Sequence, residues 1–334
     1  MPQKPTPIIF DTDMETDCDD AGALCLLHNL QTAGLCEILA AVGDAHSDFV
    51  APAVQTINAW FGRPNIPVGT VKIPDYKSRE TYRKYREAVL RFESLSPKRL
   101  YNRTLPKGTP YEGRAMADYP DSTRTYRGVL AMAADSSVVI CVVGFMSALA
   151  ALLKSPPDAA CPLSGLELVR GKVNRVVAMA VVSPCPGKGD GNFNFRMDLP
   201  STQFVVENLP VPLMLSCWGT SITTGERLMR EAPPNHPGRM AYSDYLNADI
   251  LSPPEGNRSS WDQVASVFSV LGTGPLFDIV SGYTLTVSGK EFAWMALPGG
   301  RADGYVVPKS EKKLERLVDT WMLRPPSEAE IARI

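Results

Sequence analysis

The chain has 334 residues, enough to bury a large core, and its 36 acidic and 34 basic residues almost cancel to a formal net charge of −2. This balance leaves no broad basic surface for nucleic acid or anionic lipid, and no apolar run approaches the roughly 20 residues that a bilayer crossing needs. We therefore expect a small-molecule partner, with neither nucleic acid nor membrane among the partners.

Cysteine usage bears on the cellular compartment. The chain has seven cysteines, an odd number, and Cys25, Cys36 and Cys141 are among those in apolar runs, where a free thiol acts as a small hydrophobic group. The first residues lead into a strand instead of a signal-peptide core. We expect a cytoplasmic protein, although a chain from which an export signal had been removed would look the same.

Short apolar segments rich in β-branched residues alternate with helical segments along the chain. The predicted strands are Pro7–Phe10, Glu37–Val42, Ser137–Val143, Val173–Ala180 and Val211–Ser216. The predicted helices are Asp20–Leu30, Ala51–Phe61, Ser147–Lys154 and Pro200–Asn208. This order predicts an α/β fold with a doubly wound, mostly parallel open sheet flanked by helices, in which ligands bind beyond the carboxyl ends of the strands.

Two segments interrupt the alternation. Residues 74–120 are dense in Lys, Arg, Tyr and Glu and predict exposed helix and loop that cover one edge of the sheet. Residues 231–258 contain several prolines and predict a surface excursion that returns the chain to the sheet. Because neither segment has the composition of a flexible linker, we expect a single domain over residues 1–334, with these two segments at its periphery.

Six acidic side chains fall within ten residues where the first predicted strand ends and the first helix begins: Asp11, Asp13, Glu15, Asp17, Asp19 and Asp20. Like charges packed so closely repel, and a hard divalent cation such as Ca²⁺ or Mg²⁺ would relieve the repulsion because it binds carboxylate oxygens. An acidic turn with an Asp at the helix N-cap is the alternative interpretation. The residues alone leave both open.

The segments Ile9–Asp13 (IFDTD) and Asp19–Leu24 (DDAGAL) resemble the signature of the inosine-uridine preferring nucleoside hydrolases. The likeness continues through residues 37–58, 138–156, 173–215 and 259–265, so it covers most of the chain. The spacer between the acidic pairs is longer than usual in that family. The chain therefore resembles a divergent branch, and the resemblance implies a homodimer or homotetramer.

The resemblance also implies a cofactor and its ligands. Ca²⁺ would be held by Asp13, by both oxygens of Asp20, by the backbone carbonyl of Val143 and by Asp262. Asp13 would accept a proton from the water that attacks the anomeric carbon, and Asp11 would support the loop from behind. The implied reaction is metal-assisted hydrolysis, in which carboxylates stabilise an oxocarbenium-like transition state.

The implied sugar contacts depart from the family pattern. Asp19 would bind the 2′-hydroxyl of the sugar, and Asn194 occupies the place of a sugar-binding Asn. Asn192 stands where the family has a Glu, and Ser47 stands where it has an Asn reaching the ribose. A neutral amide both donates and accepts hydrogen bonds, so we expect a different group near the 5′ end of the substrate. Loop capping is the alternative role for Asn192, Asn194 and Ser47.

Trp261 precedes Asp262 at a position where many nucleoside hydrolases have a His suited to protonating the leaving base. An indole cannot serve as a general acid, although it can stack on a flat leaving group. Activation of the leaving group must therefore come from elsewhere, come from the substrate itself, or be weak. Core packing is the alternative role for Trp261.

Three functions are compatible with these features. The one we favour is a metal-dependent N-glycosyl hydrolase that cleaves a nucleoside or related ribosyl compound to free sugar and base, as in purine or pyrimidine salvage. The second is a weakly catalytic or non-catalytic, calcium-dependent protein of the same fold that binds ribose or nucleosides. The third is a structural calcium site in a hydrolase of some other bond.

Overall fold

The computed structural model describes residues 4–95, 99–180, 188–247, 256–296 and 299–334. Its strands are β1 (Thr6–Thr12), β2 (Cys36–Gly43), β3 (Val68–Thr70), β4 (Val138–Val142), β5 (Val173–Met179), β6 (Lys188–Asp190), β7 (Leu213–Ser216), β8 (Thr223–Thr224), β9 (Arg258–Ser259), β10 (Phe277–Ser288), β11 (Glu291–Met295) and β12 (Asp303–Pro308). Its helices are α1 (Asp19–Thr32), α2 (Val50–Trp60), α3 (Glu80–Leu95), α4 (Ser122–Met132), α5 (Ser147–Lys154), α6 (Gly165–Lys172), α7 (Phe193–Met197), α8 (Leu199–Asn208), α9 (Glu226–Glu231), α10 (Pro237–Asn247), α11 (Trp261–Leu271), α12 (Glu311–Leu323) and α13 (Glu328–Ile331).

The main sheet has the strand order β3-β2-β1-β4-β5-β7-β12-β10-β11-β6. Neighbours from β3 to β12 pair in parallel, and β10, β11 and β6 extend that sheet in antiparallel pairs. Parallel pairs need crossover connections, which place helices on the faces of a sheet. The prediction of a mostly parallel, open sheet flanked by helices is confirmed, and the antiparallel extension is a finding of the structure.

Both faces of the central strand are buried, which explains its unbroken apolar sequence. Along β1, Ile8 and Phe10 pack into the core on one side of the sheet, and Ile9 packs into the core on the other side. All three side chains are fully buried. Alternate residues of a strand point to opposite faces, so a strand covered on both sides needs apolar residues at every position.

The order of the strands reverses at β1, and this reversal positions the site. The chain runs outward from β1 through β2 to β3, then crosses back so that β4 pairs with the other side of β1. In an open α/β sheet, such a switch point leaves a crevice at the carboxyl ends of the strands. The amide of Val143 donates to the carbonyl of Asp11 at 2.7 Å, and that of Asp44 donates to Thr12 at 3.0 Å, which holds the three strand ends together.

The two segments that interrupt the alternation contribute buried side chains beside this crevice. Residues 74–120 form α3 and short 3₁₀ turns, and they bury Tyr85 and Tyr101. The described part of residues 231–258 forms α10 and the start of β9, while residues 248–255 lie outside the described residues. Across the part of the chain that the structure describes, no helix has the length and apolar character to cross a membrane.

Gly144 allows the carboxyl end of β4 to lie against that of β1. A Cβ added at this position would overlap the backbone nitrogen of Asp13 and both carboxylate oxygens of Asp44. The first of these groups is backbone, and the second belongs to a buried side chain that has little room to move. A side chain at position 144 would therefore push the acidic loop away from β4.

Gly144→Ala is expected to lower the free energy of unfolding by about 1–3 kcal/mol, because an inserted methyl group in a packed site forces the backbone to shift. The matched control is Gly128→Ala, since Gly128 lies within α4 and a Cβ there meets nothing within 4 Å. That substitution should raise stability by about 0.5–1 kcal/mol, the usual gain of Ala over Gly in a helix. Urea unfolding measures both, and a Gly144→Ala variant as stable as the original would contradict the close approach.

Candidate metal and substrate site

A cavity of about 340 Å³ opens at the carboxyl edge of the sheet beside β1. This volume lies in the range of small-molecule sites. The carboxylates that line it are Asp13, Glu15, Asp17, Asp19, Asp20 and Asp262. The acidic loop therefore forms one wall, and Asp262 joins it from the first turn of α11, more than 200 residues later.

Asp19, Asp20 and Asp262 form the tightest carboxylate group in the cavity. One oxygen from each lies within 4.8 Å of the others, and each residue is less than 5 % exposed. Two oxygens bound to one Ca²⁺ at 2.3–2.6 Å are at most roughly 5 Å apart, so this spacing suits ligands of a single cation. The donor set, carboxylates with a backbone carbonyl of Val143 on the same cavity, fits a hard divalent metal ion.

Burial and mutual repulsion make the ionised form of these carboxylates costly. Burial raises the pKa of Asp13 well above its usual range, and the charges of Asp20, Glu15 and Asp19 raise it further. Burial and like charges also raise the pKa of Asp19 and of Asp262. Burial raises the pKa of Asp20 to about 7, against hydrogen bonds from Thr12 and the amide of Met14. A bound cation would reverse this preference by stabilising the ionised carboxylates.

The backbone of the acidic loop turns sharply on both sides of Glu15. Met14 and Thr16 have φ angles of 44° and 70°, a left-handed conformation that is uncommon for non-glycine residues and especially for a β-branched one. The amide of Met14 donates to the hydroxyl of Thr12 at 3.0 Å, which helps to hold this conformation. Sparsely populated backbone conformations persist where the surroundings enforce them, often at functional sites.

Glu15 is held on the cavity wall by a residue that lies outside any recognisable sequence motif. It is 2 % exposed, and the hydroxyl of Tyr85, from α3, donates to its Oε2 atom. Burial raises the pKa of Glu15, whereas the hydrogen bond from Tyr85 and the charge of Arg103 oppose the rise. Ser47 lies beside Glu15 and also opposes the rise in its pKa, but it is not among the residues that line the cavity.

Arg258 and Asp17 form an ion pair at the opposite side of the acidic loop. The Nε atom of Arg258 lies 2.9 Å from Oδ2 of Asp17, and its Nη2 atom lies 2.5 Å from the same oxygen. The guanidinium stacks over the ring of Tyr245 at 5.5 Å and over that of Trp261 at 5.2 Å. Burial favours the neutral form of Arg258, but the hydrogen bonds and charge of Asp17 outweigh it and raise its pKa.

Asn192 and Asn194 both line the cavity and both also hold local structure. The Nδ2 atom of Asn194 donates to the carbonyl of Val143 at 2.6 Å and to that of Met179 at 3.3 Å. Asn192 is the N-cap of α7, and its Oδ1 accepts from the amide of Phe195 at 3.3 Å. The capping role is therefore present at Asn192, and Asn194 fixes the carbonyl that was predicted to bind the metal.

Trp261 lines the cavity at the first residue of α11 and is not enclosed in the core. Its indole nitrogen donates to the hydroxyl of Thr220 at 3.1 Å. Gly219 allows Trp261 to lie here, because a Cβ at residue 219 would overlap the backbone and ring of Trp261. One edge of the indole is thus anchored while the ring borders the cavity.

Asp11 and Asp44 lie behind the acidic loop. Both are buried, the hydroxyl of Tyr126 donates to Asp11, and the carboxyl groups of Asp11 and Asp44 lie near each other. Burial raises the pKa of Asp11 to about 7, against the hydrogen bonds from Asp44 and Tyr126. Burial and the charge of Asp11 raise the pKa of Asp44 well above its usual range, because two neighbouring buried carboxylates repel each other.

Comparisons with known proteins find matches to the fold of this chain but none to its sequence. No family model matches the sequence, and no curated protein matches it. Among solved structures, the effector protein XOO4466 is 17% identical, with 96% of this chain and 95% of that chain covered and a TM-score of 0.69. The type III effector XopQ, in complex with adenosine diphosphate ribose, is also 17% identical, with 96% and 95% covered and a TM-score of 0.67.

An inosine-uridine preferring nucleoside hydrolase from Bacillus anthracis is 15% identical, with 95% of this chain and 99% of that chain covered and a TM-score of 0.60. The chain has the nucleoside hydrolase fold. Identities this low show the fold alone, and they agree with the divergent sequence pattern. The predicted resemblance is confirmed at that level.

The nucleoside hydrolase fold brings most of the predicted site residues onto one cavity. These are Asp13, Asp19, Asp20, Val143, Asn192, Asn194, Trp261 and Asp262. Ser47 and Asp11 are not among the residues that line it. The tight carboxylate group contains Asp19 where the sequence assigned Asp13, and both residues adjoin Asp20. Their division between metal and sugar stays a prediction.

Sequence reasoning missed several residues of the site. Glu15 and Asp17 stand in the acidic loop itself, so their charge was the signal, but no partner for either could be named. Tyr85, Tyr245 and Arg258 come from the two interrupting segments, which have no motif. Only the folded chain shows that these distant residues meet the loop.

Tyr85→Phe is expected to lower the free energy of unfolding by about 1–3 kcal/mol, because it removes the donor to the buried carboxyl group of Glu15. Tyr82→Phe is the control, since Tyr82 lies on the same helix but packs edge-on against Tyr76 at 5.1 Å. It should change stability far less. Denaturant unfolding at neutral pH compares the two, and equal losses would argue against a structural role for the Tyr85 hydroxyl.

Proposed function

We propose that the protein is a metal-dependent N-glycosyl hydrolase that cleaves a riboside to free sugar and base, with Ca²⁺ as its cofactor. The observation that carries the proposal is the group of Asp19, Asp20 and Asp262, whose oxygens lie within 4.8 Å of one another in a cavity that Asp13 also lines. Nucleoside hydrolases of the same fold, and the XopQ complex with adenosine diphosphate ribose, support a ribosyl ligand.

Asp20 and Asp262 from this group would hold the cation, and Asp13, which adjoins Asp20, would complete the ligands with the carbonyl of Val143. Asp19 would then accept a hydrogen bond from the 2′-hydroxyl of the sugar. When bound, Ca²⁺ supplies positive charge that neutralises the carboxylates and polarises the oxygen atoms that it contacts. Asn194 fixes the Val143 carbonyl through its 2.6 Å hydrogen bond, so it also orients this ligand. Asp11 and Asp44 hold the loop from behind.

The remaining chemistry belongs to side chains of the cavity. Asp13 accepts a proton from the water that attacks the anomeric carbon, while the bond from that carbon to the base nitrogen breaks. The neighbouring carboxylates stabilise the positive charge that develops on the sugar. Burial suits this role, because electrostatic interactions are stronger away from water.

Calcium is expected to raise the melting temperature of the protein, and a chelator is expected to lower it, because the ion relieves repulsion among buried carboxylates. Asp262→Asn should abolish most of this shift. Asp278→Asn is the control, since the Asp278 side chain is 68% exposed, and it should keep the full shift. Thermal unfolding with and without Ca²⁺ measures it, and a melting temperature indifferent to calcium and chelator would argue against the metal.

Asp13→Ala is expected to reduce riboside hydrolysis by about 10²–10⁴-fold, the usual contribution of a positioned general base. Release of reducing sugar from purine, pyrimidine and nicotinamide ribosides provides the measurement. Asp135→Asn, on a side chain that is 83% exposed, is the control and should retain activity. Saturable binding without turnover in the original protein would favour a calcium-dependent binding protein instead.

A further inference from the structure

We propose that the preferred substrate is a riboside whose leaving group is a flat, positively charged N-heteroaromatic ring of the pyridinium type. This inference rests on the proposed function and adds the class of leaving group to it. It follows from the charge of the cavity, from its aromatic lining and from the chemistry of the bond that breaks.

The cavity is strongly acidic. Six carboxylates line it, and among the described lining residues Arg258 is the one that carries a positive charge. That charge is already matched by Asp17 in a short, two-pronged ion pair. A divalent cation and Arg258 together would offset three of the six formal negative charges. Clefts lined by one sign of charge concentrate ligands of the opposite sign, so a cationic ligand is favoured over a neutral one of the same shape.

The aromatic lining suits a flat cation. Phe92, Phe193, Tyr245 and Trp261 line the same cavity. The faces of aromatic rings attract cations, with Trp the strongest. The guanidinium of Arg258 lies over Tyr245 and Trp261, so the aromatic wall of this cavity already contacts one planar cation. A pyridinium ring is likewise planar and positively charged.

The chemistry by which the base leaves the sugar also favours a positively charged leaving group. A neutral purine or pyrimidine leaves as an anion unless it receives a proton, and histidine is the side chain best suited to supply one near neutral pH. The chain has three histidines, and none lines the cavity. His28 bonds to Asn58 at 2.8 Å, His46 stacks on Tyr76, and His236 packs edge-on against Trp60.

A pyridinium leaving group removes the need for that proton. The oxygen of water forms a bond to the anomeric carbon, and the carbon–nitrogen bond breaks. The electron pair of the broken bond passes to the ring nitrogen, which becomes neutral, and the proton of the water passes to Asp13. The products are the free sugar, a neutral heteroaromatic base and a proton, so no oxidant, reductant or further acid is required.

Nicotinamide riboside and its reduced dihydro form provide a matched pair of probes, because they have nearly the same shape but only the oxidised form is a cation. We expect the Asp13→Ala variant, which turns the ligand over about 10²–10⁴-fold more slowly, to bind the cation about tenfold more tightly than the dihydro form, since the faces of aromatic rings attract cations. Calorimetric titration with each form measures this. With the original protein, kcat/KM for nicotinamide riboside should exceed that for inosine and uridine by at least about tenfold.

Glu15→Gln tests the charge of the wall directly. The variant keeps an oxygen that can accept the hydrogen bond from Tyr85 but removes the negative charge, so the preference for the cationic form over the dihydro form should fall severalfold. Glu87→Gln is the matched control, because Glu87 lies on an exposed face of the same helix as Tyr85, with a side chain that is 60% exposed. It should leave the preference unchanged.

The outcomes distinguish the proposed leaving group from the proposed hydrolase activity on which it rests. Hydrolysis of inosine or uridine as fast as nicotinamide riboside, with equal binding of both nicotinamide forms, overturns the cationic leaving group and leaves the N-glycosyl hydrolase standing. Tighter binding of the cation without release of sugar from any riboside overturns the hydrolase and leaves the ligand class standing. Equal binding with no release overturns both.

Discussion

Repulsion among buried carboxylates is the constraint on which the site depends. Asp13, Asp19, Asp20 and Asp262 meet where water is largely excluded, and burial together with like charges raises the pKa of each. Because such a cluster of negative charges destabilises the folded state, it needs a compensating cation or shared protons. The geometry of the cluster fits a divalent ion, and under the proposed function the same excess of negative charge favours a cationic ligand beside that ion.

The parallel sheet brings these groups together because of its strand order. Reversal at β1 aligns the carboxyl ends of β1, β2 and β4, so Asp13, Asp44 and Val143 share one edge although over 100 residues separate the first from the last. Helix α11 adds Trp261 and Asp262 from far along the chain. The interrupting segments complete the wall, with Tyr85 holding Glu15, while Arg258 holds Asp17. The ends of the strands and the first turns of α1 and α11 thus supply the carboxylate cluster, and the peripheral segments supply further residues of the cavity wall.

The sequence predicted the central strands and the acidic loop, and the elements that it did not predict were missed for physical reasons. Strands buried on both faces, such as β1 and β4, are continuous apolar runs and were located within about two residues. The strands β10 to β12 mix buried positions with partly or fully exposed ones, so they gave no comparable signal. The acidic loop was singled out because six carboxylates in ten residues are unusual, and the division of its carboxylates between metal and sugar stays a prediction. Tyr85 and Arg258 were missed because a contact between residues 70 or 241 positions apart leaves no local pattern.

The most direct test of the account is the crystal structure of the protein grown with Ca²⁺. We expect one ion bound by Asp20 and Asp262, with Asp13 or Asp19 and the carbonyl of Val143 completing the protein ligands at about 2.3–2.6 Å. An empty cluster at millimolar calcium, with its carboxyl groups hydrogen-bonded to one another in protonated form, would contradict the claim that a divalent cation holds this site together.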